Sequence, residues 1–410
     1  MLVKGVAFPL VSELPPEVRF LLQEFRLAVN EAIKAGLAGK VTSKYGISKL
    51  AYKTLREEHP GMYAQHLVSS FEVASAILKN HRRRLRKGRE ARTPFARRLM
   101  MKAENQAYRL NRAEGLIDLP IRAGSHVKLK LLVSRYHRRY LEDPALSLGS
   151  LTVLPDRVIV AFRKEAPKSL IPSSVVALDT NERSLDGIFI QEYERSISAI
   201  PVKASFPEVA MIQQRHYDRR RRLQKKKAHD RRLSRILCRR EGKREHDRIG
   251  YRMHQVANAV IEFAEGRKAA IVLEDLRGVK PRKNRELNRR LSVWPRRRLH
   301  EIIEYKAAWR GIPVMKVDPR YSSRKCPICG RISDSRMGTE FKCECGWHLD
   351  RHINASINLL QTAISKGLEV AGGLRFDPGA FQHDVMMILY EPVMAARSEP
   401  NGTSQMSAVA

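Results

Sequence analysis

The sequence is poor in cysteine, in acidic residues and in long apolar runs. Five cysteines in 410 residues, four of them clustered, exclude a disulfide framework and fit a reducing compartment with a metal site. No apolar run approaches the roughly 20 residues that a spanning helix needs, which excludes that membrane class. The opening MLVKGVAFPLVSELPP has a short apolar stretch without a small-residue cleavage site, so it does not read as a signal peptide. Aspartate and glutamate number 43 against 77 lysines and arginines, a formal net charge of +34. An imbalance of that size favours a polyanionic partner, nucleic acid or an anionic membrane surface. The length predicts two or three domains, each able to bury a core.

Val3 to Leu10 suits a short strand. From Glu17, Val18, Leu21, Leu22, Phe25, Val29, Ala32 and Ile33 recur at helical spacing behind Pro15 and Pro16. Helical patterns continue through VTSKYGISKLAYKTLREEHP and MYAQHLVSSFEVASAILKNHRRRLRKG. From about Leu116 to Glu165 the texture is that of a small antiparallel sheet or barrel, with PDR as a turn before VIVAF. Val175 to Leu178 and AIVL before Glu274 are continuous apolar runs, as in strands buried on both faces. A basic helical stretch with 17 lysines and arginines in the 38 residues from Arg215 to Arg252 separates those runs. Trp294 to Trp309 is expected to be helical, IPVMKVDP a strand, and Asp350 to Leu360 a closing helix. The end of the chain loses periodicity and is expected to be disordered.

Cys326-x-x-Cys329 and Cys343-x-Cys345, 13 residues apart, offer four thiolates on two knuckles, with Gly330 and Gly346 where each must turn tightly. Such pairs can surround one zinc at about 2.3 Å per sulfur, and a site filled by four protein ligands is structural. His348 is a conceivable substitute ligand, since the second pair is the tighter CxC. Cys238, in the basic stretch, is an ordinary thiol.

Three carboxylates stand at element ends: Asp179 and Glu274 after buried strands, Asp350 at a helix start. Each alone has a plain reading. Asp350 suits an N-cap, Asp179 a turn with Asn181, and Asp275 could act in place of Glu274. Jointly they follow the β-β-helix-β-helix-β-helix order of an RNase H-like sheet, in which such acids meet. Clustered carboxylates can hold two divalent ions roughly 4 Å apart for phosphodiester hydrolysis. The zinc ribbon would then anchor the helix that starts at Asp350.

At this point VVALDTNERSLDGI, AIVLEDLRG, YSSRKCPICG and CECGWHLDRHINASINLL resemble the three RuvC-type motifs and interposed zinc ribbon of the TnpB family. These are RNA-guided DNA endonucleases encoded by insertion sequences and similar to type V CRISPR effectors. The likeness spans residues 170–362, with Arg351 and Asn354 matching a DRxxNA signature. It departs in the first motif, where many members have DLG, and in the CxC pair.

The resemblance implies a multidomain α+β chain. Residues 1–14 would give the first strand of a β-barrel module, 15–115 a helical recognition module and 116–168 the rest of the barrel. Residues 169–323 would carry nuclease motifs I and II, 324–347 the ribbon, 348–367 the motif III helix and 368–410 a disordered tail. It makes Asp179, Glu274 and Asp350 the catalytic acids, holding Mg2+ or Mn2+, and Cys326, Cys329, Cys343 and Cys345 the ligands of Zn2+. It implies a guide RNA and a double-stranded DNA target, no membrane, a monomer with one RNA, and a cytoplasmic, nucleoid-associated setting. The phosphate contacts expected of the basic segments fall on Arg83, Arg84, Arg86 and Lys87, on Arg219, Arg220, Arg221, Arg222, Lys225, Lys226 and Lys227, and on Lys280, Arg282 and Lys283. A miniature type V effector, a guide-dependent binder or repressor that does not cut, and a zinc-ribbon RNA-binding protein are the alternatives.

Overall fold

The computed structural model describes residues 1–193, 196–277, 296–333, 338–371, 374 and 376–389. It divides into two compact units, residues 1–165 and 166–410. Lys280, Arg282, Lys283 and Trp294 lie outside the described residues, as do 390–410.

The first unit opens with β1 (Leu2–Pro9), α1 (Pro16–Ala38), α2 (Lys44–Glu58) and α3 (Ala64–Arg86). Helix α1 buries Val18, Leu21, Leu22, Phe25, Val29, Ala32 and Ile33, the stripe read from the sequence. It packs on α2 and α3, which bury Ile47 and Leu55 and Leu67, Phe71, Ala74 and Leu78. Proline at the start of α1 suits its first turn, whose N–H groups have no partner in the helix.

Next come β2 (Met101–Ala103), β3 (Arg109–Asn111), β4 (Leu116–Arg122), β5 (Ser125–Lys130), α4 (Arg135–Leu141), β6 (Ser147–Val153) and β7 (Arg157–Lys164). The expected barrel is, among the described residues, a four-stranded sheet β1-β7-β6-β2 and a three-stranded sheet β3-β4-β5, joined by a single bridge from Leu10 to Leu131. Sheet strands already occur at 101–111, inside the segment expected to be wholly helical. Three-residue strands carry no periodicity by which a sequence could reveal them.

The second unit is built on β8 (Ser174–Thr180), β9 (Ser184–Tyr193) and β10 (Ser196–Ser205), then α5 (Glu208–Lys226), α6 (Arg231–Gly266), β11 (Ala269–Glu274), α7 (Arg296–Arg310) and β12 (Val314–Val317). The knuckle strands β13 (Glu340–Lys342) and β14 (His348–Asp350), helix α8 (Arg351–Ser365), a 3₁₀ turn (Pro378–Ala380) and β15 (Met386–Leu389) complete it. The main sheet has the order β12-β11-β8-β9-β10-β15. β12, β11 and β8 run parallel, β9 is antiparallel to β8 and β10, and β15 is parallel to β10.

Alternation along the strands builds two layers of core. Val176, Leu178, Ile271 and Leu273 face α6 and α7 through Met253, Val256, Val260, Leu299 and Ile303. Val175, Ala177, Ala270 and Val272 face α8 through Ile353, Ile357 and Leu360. Both faces are therefore covered, which is why β8 and β11 read as unbroken apolar runs.

Two expectations change here. The basic stretch is two helices and not one: it turns at 227–230, where the Asp230 side chain caps α6 by accepting from Leu233 N at 2.8 Å. The tail expected over 368–410 is partly ordered, since Met386 and Ile388 of β15 pack on the core, and Phe376 and Phe381 meet the Trp347 ring edge-on at 6.0 Å each. No helix among the described residues is long and apolar enough to cross a membrane.

Gly187 on β9 lies across from Leu178, and a Cβ there would stand 2.3 Å from the Ala177 carbonyl oxygen. Backbone cannot yield as a side-chain tip can. Gly187→Ala is therefore expected to destabilise this unit by about 1–3 kcal/mol, read as a lowered unfolding midpoint in a thermal melt. An unchanged melt would mean that β8 and β9 are less closely packed than described.

Candidate nuclease site and metal ribbon

Period-two alternation places two of the sequence-predicted acids on one face. Asp179 continues the Val175–Ala177 face of β8, and Glu274 continues the Ala270–Val272 face of β11. The ladder pairs Leu273 with Leu178, so Glu274 and Asp179 stand one step further on adjacent parallel strands. Both strands end here, at the carboxyl edge where open α/β sheets form their sites. The face is the one covered by α8.

Glu274 is buried at 7% exposure. Burial, and then the charge of Asp179, push its carboxyl up to about 7. The backbone N–H of Thr180 donates to its Oε1 at 3.2 Å. The Thr180 side chain points to the opposite face and meets Nε2 of His300 at 2.8 Å. Burial lowers that histidine to about 4, which keeps it neutral. Asp275 points away from Glu274's face. It holds Arg277 through Nε and Nη2 at 2.7 to 3.0 Å, and this pairing draws its carboxyl down to about 2. Of the neighbouring acids, Glu274 is thus the one that shares a sheet face with Asp179.

The third predicted acid is placed differently. Asp350 ends β14 and is the N-cap of α8: its Oδ1 accepts from His352 N at 2.8 Å and Ile353 N at 3.2 Å. The residue that reaches Asp179 is His352, with Nδ1 2.9 Å from Asp179 Oδ2. That bond, opposed by burial, raises the imidazole above its ordinary value. Among the described residues the acids do not form a closed cage, since the four cysteines are the one group of three or more ligands gathered within 4.8 Å.

The sequence reading overlooked His352 and Asp186. Asp186 pairs directly with Asp179 across β8 and β9, but its Oδ2 is held by Asn181 Nδ2 at 2.5 Å and by the Ser184 hydroxyl. Lys203 Nζ lies 3.4 Å from Oδ1. A signal for His352 was available, for it sits in the first turn of a helix whose Ile353 and Ile357 face the sheet.

The cysteine cluster closes as its spacing predicts. Cys326 Sγ is 3.6 Å from Cys345 Sγ, and Cys329 Sγ is 3.5 Å from Cys343 Sγ. A tetrahedron with sulfurs about 2.3 Å from zinc has edges of about 3.8 Å, so the four thiols fit one ion. Gly330 and Gly346 take φ of 76° and 90°, the left-handed turn each knuckle needs. His348 stays outside the group, with Nε2 3.2 Å from Glu340 Oε2. Half-buried Cys238 lies 4.0 Å from the Arg220 carbonyl and takes no part.

The ribbon is fastened to α8 by a stripe one helical face wide. Asn354 Nδ2 donates to the Lys325 carbonyl at 3.0 Å. Asn358 Nδ2 donates to the carbonyls of Ser322 and Lys325 at 2.8 and 2.7 Å. Gln361 Nε2 donates to the Pro327 carbonyl at 3.0 Å. Trp347 Nε1 donates to Asn354 Oδ1 at 3.2 Å, and the β13–β14 ladder pairs Glu340 with Asp350 itself.

The expected phosphate contacts divide. Arg83, Arg84, Arg86 and Lys87 are exposed at the end of α3. Arg221, Arg222, Lys225 and Lys226 are exposed on α5, and Lys227 is half-buried. Arg219 and Arg220, by contrast, reach Glu241 (3.3 Å) and Glu245 of α6, and these pairs help bind the α5–α6 hairpin together.

Comparison with known proteins follows the same lines. Residues 297–359 match the family described as Cas12f1-like, TNB domain, and residues 21–117 match the uncharacterized protein MJ0013 family. The TnpB-like protein MJ0751 of Methanocaldococcus jannaschii is 25% identical over 249 residues, 59% of this chain and 88% of that protein. The CRISPR-associated endodeoxyribonuclease Cas12f1 of Sulfoacidibacillus thermotolerans is 35% identical over 119 residues, 28% of this chain and 27% of that protein. A solved Cas12f1–sgRNA–target DNA complex has the same fold, with a TM-score of 0.55 at 15% identity over 84% of this chain and 82% of that one.

Two outcomes test the site. Purified protein should carry one zinc per chain, and Cys326→Ser with Cys329→Ser should abolish it, measured by elemental analysis. For Glu274, the folded value near 7 lies above the ordinary 4.5. Between those values the folded chain holds a proton that the unfolded chain has released, so this group's contribution to stability falls as pH rises through the window. A divalent ion needs the ionised carboxylate, so the melting-point gain on adding Mn2+ should be larger at pH 8 than at pH 6.

Proposed function

The chain belongs to the TnpB family, and on that premise we propose that it is an insertion-sequence-encoded, RNA-guided, metal-dependent DNA endonuclease of the RuvC type. The observation that carries this reading is the parallel register that sets Asp179 beside Glu274 at the strand ends beneath α8. The strand order β10-β9-β8-β11-β12 supports an RNase H-like reading of the sheet.

The residues suggest how the site would work. Asp179 and Glu274 would hold divalent metal, with Asp350, at the N-cap of α8, as the third acid. Bound there, such metal neutralises charge on the scissile phosphate and lowers the pKa of an attacking water, two ions being the arrangement we favour. Thr180 N–H fixes one oxygen of Glu274, so the carboxylate is oriented before it binds anything. Burial favours the protonated acid, and bound metal would reverse that preference. The ribbon would be structural and hold α8 in place.

Guide RNA and target duplex are the partners that fit a charge of +34. In such systems base pairing reads the sequence and the protein reads a short flanking motif. The exposed arginines and lysines of α3 and α5 would meet backbone phosphate. A guide-dependent binder that does not cut is the second reading. One observation favours it: the capping role of Asp350 leaves a histidine against Asp179.

The test is to express the gene with its own flanking DNA and sequence the RNA that co-purifies. A single species ending in sequence from beyond the element is expected, with cleavage of DNA that matches it. Asp179→Ala or Glu274→Gln should abolish cleavage while RNA still co-purifies. Undiminished cleavage by either variant would sink the assignment, and random cellular RNA would reduce the charge to a generic polyanion surface.

A further inference from the structure

We infer that the cleft between α5 and α6 is a binding site for a compact polyphosphate group, the chemistry shared by a free nucleoside triphosphate and the 5′-triphosphate end of an RNA. The site lies in the helical hairpin and needs neither Asp179 nor Glu274, so it stands apart from the nuclease reading.

A cavity of about 530 Å3 lies between the two helices. Its α5 wall carries Arg219, Arg222, Leu223 and Lys226, and its α6 wall Leu237, Arg240, Glu241 and Arg244. Both sets follow the spacing i, i+3, i+4, i+7, which is one face of a helix. Each helix therefore turns a cationic face toward the other, and five cations meet one carboxylate. That carboxylate is already shared. His216 Nδ1 lies 2.8 Å from Glu241, Arg219 Nη1 3.3 Å and Arg244 Nη1 3.7 Å. Arg222, Lys226 and Arg240 have no acidic partner among the described residues.

Packing does not call for this arrangement. Like charges one turn apart on a helix repel, and Arg222 with Lys226 and Arg240 with Arg244 are two such pairs on facing walls. The apolar contact a hairpin needs is available from half-buried Leu223 and Leu237 in the same walls. An anion seated between the helices would relieve the repulsion. Each guanidinium can give phosphate two parallel charge-assisted hydrogen bonds.

The shape selects among phosphates. The turn at 227–230 closes the hairpin at one end. At the other, fully buried His216 meets Glu241 and Arg220 meets Glu245, which joins the helices. An extended nucleic-acid backbone carries one charge per nucleotide and needs a way in and a way out. A triphosphate gathers several charges within about the length of one helical turn, which suits a short, closed cleft. Arg221 and Lys225, also one turn apart on α5, are exposed and do not line the cavity. They carry the same charge on another face.

The experiment is calorimetric titration of the purified full chain, stripped of nucleic acid, with inorganic tripolyphosphate at physiological salt. One site per chain is expected, with sulfate at least roughly tenfold weaker. Arg222→Gln and Arg240→Gln should each weaken tripolyphosphate at least roughly tenfold. Arg221→Gln with Lys225→Gln removes more charge and should stay within about twofold of wild type. Should a glutamine variant melt early, Arg222→Lys and Arg240→Lys keep the charge, lose the fork and should still weaken binding severalfold.

The source is then read by competition. Displacement of tripolyphosphate by a short RNA with a 5′-triphosphate, but not by the same RNA with a 5′-hydroxyl or by free ATP and GTP, assigns the RNA end. Displacement by ATP or GTP as well assigns a free nucleotide. Equal weakening by the outer-face pair would overturn the proposal and leave a generic polyanion surface. Wild-type protein that binds no tripolyphosphate, or a 5′-hydroxyl RNA that displaces it as well as the triphosphate RNA does, would overturn it too.

Discussion

The site depends on one ladder, the parallel pairing of β8 with β11. Side chains alternate with a period of two, so a slip of one residue would turn either Asp179 or Glu274 to the opposite face. The register is held by apolar packing on both sides. Val176 and Leu178 are fixed beneath α6 and α7, and Val175 and Ala177 beneath α8. The carboxylates do not bring each other together. Their mutual repulsion and the burial of Glu274 both oppose ionisation, and the hydrophobic layers above and below hold them side by side regardless. A pairing of carboxylates that is unfavourable in the resting protein is in this way maintained by the apolar residues packed around it.

The second constraint is the helix that covers this face. α8 has two kinds of neighbour. Its isoleucines and leucines meet the sheet, while Asn354, Asn358 and Gln361 donate to carbonyls of the ribbon segment. Asn354 is fully buried and Asn358 is 4% exposed, so each of these amides would be costly to leave without a partner. They make the helix start rigid, and the helix start is where Asp350 caps and His352 reaches Asp179. The four thiols and the two carboxylates, far apart in the chain, are therefore mechanically linked.

Much of this was legible in the residues. The CxxC and CxC pairs, each followed by glycine, announced two knuckles, and the structure closes them. Unbroken apolar runs announced β8 and β11, and the acid that ends each run marked the edge of the sheet. The helical stripes of α1 to α3 were equally clear. What escaped the sequence did so for physical reasons. β2, β3 and β15 are too short to show alternation. β10 carries Pro201 within its run SISAIPVKAS, which reads as a break. α4 is a two-turn helix whose cap is formed by His137 reciprocating with Ser134, a pairing outside the usual Ser-x-x-Glu pattern. The choice between Asp350 and His352 was hidden most deeply. An aspartate before a helix can be a ligand or a cap, and only the direction of its oxygens separates the two. Likewise nothing in a run of arginines distinguishes Arg219 and Arg220, which brace a hairpin, from Arg221 and Arg222, which do not.

The pairing of β15 with β10 has a consequence for how the fold protects itself. β10 carries Ile197, Ala199, Ile200 and Val202, apolar on both of its faces; β15 pairs with its outer side at Val202–Ala204, and Phe381 bridges to Ala199. Without that last strand β10 would present a row of unpaired amides and carbonyls beside a largely apolar surface. Such a row invites any other extended chain, another copy included, to add itself to the sheet. Residues 386–389 and the bridge at Phe381 thus occupy hydrogen-bonding positions on that edge which another chain would otherwise find open.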